Sequence, residues 1–208
     1  MLNNDKHSIL QLLSSWKTHI VFWLGAIFVG LSSVALTVGS EYMSALFREL
    51  HQQYLSYSFL FTPILLTLLA WITFTFFPGS ERSGVPQVKA ALQPSKTLHK
   101  KPLLSFRIIV GKLFLSIGGI FAGASVGLGG PAIHIGAALM TYFARFAQFG
   151  PHYLERGLIL AGSSAGFAAI FSAPLAGIVF AIEEMGRSLE EKTSGLILTA
   201  VIFASSVR

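Results

Sequence analysis

Cysteine is absent from the 208 residues, which excludes disulfides and thiolate metal sites. The six histidines are scattered and form no cluster at metal-ligand spacing, so no metal or cofactor is expected. Charge is scarce: Asp, Glu, Lys and Arg make up 12% of the chain, against about 25% in an ordinary soluble domain. The period-two alternation of half-buried strands is nowhere sustained. Acidic residues are missing altogether between Arg82 and Lys112, although seven of the fifteen basic residues fall in that stretch.

What fills the chain instead is apolar, with a hydrophobic fraction of 53% and a mean hydropathy of +0.66. Residues Ile20 to Val38, Tyr54 to Ser80 and Leu113 to Ala144 carry no Asp, Glu, Lys or Arg, and each run matches or exceeds the roughly 20 residues that span a bilayer. Backbone in lipid must satisfy its own hydrogen bonds, which leaves helices once a closed barrel is set aside. The reading is an all-α, polytopic membrane protein in one domain over 1–208. An interfacial helix is expected over 1–16, because its apolar patch from Ile9 to Leu13 is too short for a signal peptide. The first two spans are expected over 18–78, a short half-helix and basic loop over 79–105, and the remaining helices over 106–208, the last cut short. The net charge of +6 is read from its placement. The basic loop, with Lys6 and Lys17 two crossings earlier, puts the N-terminus and that loop in the cytoplasm by the positive-inside rule. Nucleic acid is not an expected partner.

Three interruptions share one grammar: Ser83, Gly84, Val85, Pro86; Gly127 to Pro131; and Ser172, Ala173, Pro174. Each sets proline in a first helical turn, where its missing N–H removes no bond. The apolar stretch after each break is too short to cross the bilayer. These are half-helix starts, and free N–H groups at such starts attract anions. Broken segments of this kind are the best sequence pointer to a transporter's site.

Other motifs read more plainly. Gly119, Gly123 and Gly127 recur every fourth residue, as do Gly162 and Gly166, and both sets are read as smooth stripes for close helix packing. Gly162-Ser-Ser-Ala-Gly166 fits the serine-hydrolase pattern, but no strand precedes it and no His follows, so no enzyme is expected. Gly127, Gly129 and Gly130 likewise lack the strand of a dinucleotide loop. Glu183 and Glu184 end an apolar run, which reads either as an intramembrane functional acid or as a cap or partner for Arg187, four residues from Glu183. His134 reads as a packed histidine.

The stretches Ser83–Leu92 (SGVPQVKAAL), Gly127–Leu139 (GLGGPAIHIGAAL) and Gly162–Met185 (GSSAGFAAIFSAPLAGIVFAIEEM) resemble, in order and spacing, three signatures of the chloride channel and transporter family (CLC). The resemblance implies a homodimer whose subunits each hold a pore of two inverted repeats, of which this chain is the first. It implies chloride held by Ser83 and the backbone of Gly84 and Val85, and by the amides at Gly129 and Gly130. The family's gating glutamate corresponds to Gly129, and Glu184 to a proton-relay position. Arg82 and Leu128 replace the usual glycine and arginine. The expected activity is therefore passive chloride transport through an ungated path in the inner membrane. The alternatives are a proton-coupled exchanger and a non-conducting half. Chloride, the lipid bilayer and a second repeat or complementary half are the expected partners.

Overall fold

A computed structural model describes residues 2–53, 55–92, 103–145, 152–185 and 191–206, with side-chain surroundings for 20–53, 59–92, 103–145, 156–183 and 199–206. Every regular element among the described residues is helical. In chain order they are α1 (Leu2–Gln53), α2 (Leu55–Phe76), α3 (Val85–Leu92), α4 (Phe106–Phe121), α5 (Gly129–Ala144), α6 (His152–Phe171), α7 (Pro174–Phe180) and α8 (Glu191–Ser206). A π-helical turn, Ala181–Met185, continues α7.

The helix expected over 1–16 and the span expected after it form one element. No Gly or Pro lies between Leu2 and Leu24, so nothing in the sequence ends the first helix before the apolar run begins. Among the described residues, two segments are long and apolar enough to cross a bilayer, Ile20–Gln53 and Phe59–Phe76. The third uncharged run, Leu113 to Ala144, is not one crossing. It is divided between α4 and α5, of 16 residues each, and such a helix is about 24 Å long, short of a hydrocarbon core of roughly 30 Å. The divider is the segment from Ala122 to Leu128. Gly123 there takes φ +87°, and its amide bonds back to the Ile120 carbonyl as the helix closes. Gly119, Gly123 and Gly127 therefore do not form a helix stripe: the helix ends before the second of them, and the third faces open space.

The second glycine set behaves as expected. A β-carbon on Gly162 would collide with the Gly136 carbonyl oxygen, one on Gly136 with that of Gly162, and one on Gly166 with that of Ala132. Helices α5 and α6 thus touch backbone to backbone, and they form the most extensive helix pair in the fold. Around them α1, α4 and α8 pack on the outside, enclosing a core that includes Leu36, Ile135, Met140, Leu158, Ile159 and Val201.

Helix α2 lies apart from that core. Only 6% of its spanning window is buried, and Phe59, Leu60 and Phe74 are 84%, 70% and 71% exposed. An apolar surface of this extent needs an apolar environment, which a bilayer provides. Residue Ser172 turns the chain at the third break, in the left-handed region at φ 51°. Gly177 on α7 then packs against Ala168 and the Ser164 carbonyl of α6.

Candidate functional site

The first two breaks meet. Gly84 adopts φ +115°, and a β-carbon there would lie 2.5 Å from the Gly130 carbonyl oxygen and 2.8 Å from the His134 β-carbon. A β-carbon on Gly130 would in turn strike the Ser83 carbonyl. Only glycine meets both demands at 84, a left-handed backbone and a neighbour at contact distance. The starts of α3 and α5 are thereby brought together.

Their first amides precede the helices' internal bonds. The first intrahelical bonds run from Val88 N–H to the Gly84 carbonyl and from Ala132 N–H to that of Leu128, both 3.0 Å. Amides earlier than these have no acceptor within the helix. The N-cap of α5 is Leu128, whose side chain makes no capping bond.

These ends open on a cleft of about 610 Å³ that Ser80, Glu81, Arg82, Ser83, Val85, Lys112, Ser116, Gly127, Gly129 and Gly130 help to line. Lys112, inside the helices expected from residue 106 onward, was given no role from the sequence, yet it is 3% exposed on α4 and donates from Nζ to the Arg82 carbonyl beside Ser83. The signal was present, since Lys112 is the only charged residue between Ile108 and Ala144. Ser80 Oγ also lines the cleft, buried and without a hydrogen-bond partner. Set against the exposed Glu81 carboxylate, the Lys112 ammonium, the hydroxyls and the helix-start amides make the lining donor-rich, of the kind that takes an anion.

Supporting bonds hold the first break in place. Gln87 donates from Nε2 to the Gly79 carbonyl, the Gly79 amide donates to Glu81 Oε2 at 2.7 Å, and Arg107 Nε donates to the Phe76 carbonyl at 2.6 Å. His134 is fully buried, as expected of a packed histidine, and its Nε2 donates to the Leu103 carbonyl at 2.7 Å.

Gly129 faces the cleft without steric need for glycine. Its φ is not positive, and a β-carbon there would meet only the Phe171 ring, at 3.4 Å. Of the residues singled out from the sequence, Ser83, Gly84, Val85, Gly129 and Gly130 are thus together. Glu184 is not among them: it lies in the π-helical turn after α7, and its side chain is outside the described residues, as is Arg187. Glu183 is exposed. Ser163 and Ser164 are fully buried in the middle of α6, and both donate to the Leu160 carbonyl, at 2.9 and 2.7 Å, which leaves neither free as a nucleophile.

A family model described as voltage gated chloride channel matches residues 64–208. The chain belongs to that family. Among its relatives, the H(+)/Cl(-) exchange transporter ClcA of Cronobacter sakazakii is 31% identical, with 94% of this chain aligned to 44% of that protein. Chloride channel protein CLC-d of Arabidopsis thaliana is 34% identical over 56% of this chain and 16% of its own length. A crystal structure of a slow cyanobacterial Cl-/H+ antiporter superposes with a TM-score of 0.78 at 24% identity, covering 92% of this chain and 46% of that one. At that identity the likeness is one of fold. This member of the voltage-gated chloride channel family spans less than half the length of these relatives.

Proposed function

We propose that this chain forms the first half of a passive, chloride-selective path across the cell (inner) membrane. The observation that carries the reading is the meeting of two helix starts, at Gly84 and Gly130, over a cleft that holds a buried ammonium and lacks a carboxylate at Gly129. Chloride sits where the Ser83 hydroxyl and the amides at Gly84, Val85, Gly129 and Gly130 converge. Positive helix ends and donated hydrogen bonds replace its hydration. Without an acid at 129, no carboxylate at that position competes with the anion or carries a proton past it. A second inverted repeat, from the same polypeptide or a complementary half, closes the path, and the functional unit is a homodimer. Lys6, Lys17 and the basic stretch after Arg82 put the N-terminus in the cytoplasm.

Chloride efflux from proteoliposomes, recorded with external pH, tests this. Efflux with no stoichiometric proton movement is the expected result, and proton uptake in step with chloride contradicts it. A proton-coupled exchanger is the second reading, favoured by the name of the Cronobacter relative and by Glu184. Absence of flux from folded protein selects the non-conducting half.

A further inference from the structure

A second cleft, of about 390 Å³, lies between α1 and the segment that joins α4 to α5. From α1 it is lined by Thr37, Ser40, Glu41, Ser44 and Arg48, which share one helix face by their spacing. From the other side Ser125, Val126 and Leu128 close it, and the first two of these also line the cleft at Ser83. A wall one strand of backbone thick therefore separates the two clefts. That wall carries no side chain at Gly127, where a β-carbon would meet nothing within 4 Å.

Two features of this second cleft point to an anion. Ser40 is 6% exposed, and its Oγ has no hydrogen-bond partner, whereas the neighbouring Thr37 hydroxyl is used within α1, donating to the Ser33 carbonyl at 3.0 Å. A buried hydroxyl with no acceptor of its own is a vacant donor, and such groups are ordinarily paired. Arg48 then supplies a permanent positive charge at one end of the same face. Glu41 lines the same cleft beside Ser40 as an exposed carboxylate, screened by solvent, that opposes Arg48, so the vacant Ser40 hydroxyl is what carries the site.

We infer that the cleft between α1 and the Ala122–Leu128 segment is a second anion site, in which Ser40 donates to a small monovalent anion and Arg48 supplies a positive charge on the same helix face. It stages chloride on the far side of the wall from Ser83, and in that respect it rests on the proposed path.

Chloride titrated calorimetrically into the intact, detergent-solubilised protein is expected to show two sites. Ser40→Ala is expected to weaken one of them about tenfold, the scale of one hydrogen bond to a charged group. Arg48→Gln is expected to weaken the same site about twofold, as loss of a solvated charge about 12 Å away does, and Arg48→Lys is expected to restore it. Ser83→Ala is the separate arm and is expected to remove the other site only. If Ser40→Ala and Arg48→Gln both leave the isotherm unchanged while Ser83→Ala alters it, the second site is wrong and the path stands. If only the Ser83→Ala titration is unchanged, the path at Ser83 is wrong and the α1 site stands.

Discussion

Gly84 and Gly130 carry the steric burden of the site, and they do so for different reasons. Gly84 needs a left-handed backbone, while Gly130 needs room for the Ser83 carbonyl. A Gly84→Ala change is expected to lower the thermal unfolding midpoint in detergent, with about 1–3 kcal/mol of strain from the backbone conformation added to a clash with Gly130. The matched Gly127→Ala change, which meets open space, is expected to leave that midpoint within about 0.5 kcal/mol of the parent. Lys112→Met tests the electrostatics. Removal of an ammonium from a sheltered cleft is expected to weaken chloride binding by roughly tenfold or more, given the lower effective dielectric there, and an unchanged titration contradicts a role in binding. The Ser-Gly-x-Pro start at Ser83 was legible because its signals are adjacent in the chain. Lys112 was marked by its isolation among apolar residues, but its partner was not, since the Arg82 carbonyl lies 30 residues away.

Elements were legible where a residue ends or begins them. Helix α3 begins and ends at the residues that its flanking Gly, Pro and polar positions mark, and Pro174 opens α7 as read. The glycine spacing misled where it crossed a helix end: an interval of four residues means a stripe only if the helix continues, and Gly123 stops α4 instead. The same spacing at Gly162 and Gly166 lies wholly inside α6 and makes the contact with α5. A Gly162→Leu change is expected to push these helices apart at the Gly136 carbonyl and lower stability by about 1–3 kcal/mol, the usual range for overpacking, read as a fall in the unfolding midpoint. Ser164→Ala is expected to be nearly neutral to chloride flux, and no covalent adduct with an active-site serine probe is expected. Labelling of Ser164 contradicts its assignment as a helix-internal hydroxyl.

At the scale of the molecule, composition alone announced lipid, and the exposed apolar face of α2 agrees with it. Composition does not reveal that short helices from distant parts of the chain aim their starts at one cleft. That arrangement comes from the α5–α6 backbone contact and the seat of Gly84 on Gly130. The proposed path turns on the absence of a carboxylate at position 129. The position tolerates a side chain, since a β-carbon at 129 meets only the Phe171 ring at ordinary contact distance. Gly129→Glu is therefore the most direct test, with chloride efflux and proton movement recorded together in proteoliposomes of the parent protein. The account predicts that the new carboxylate slows chloride efflux or makes it pH-dependent, because it occupies the outer anion position. Efflux unchanged in rate and in pH dependence, with no proton coupling gained, would contradict it.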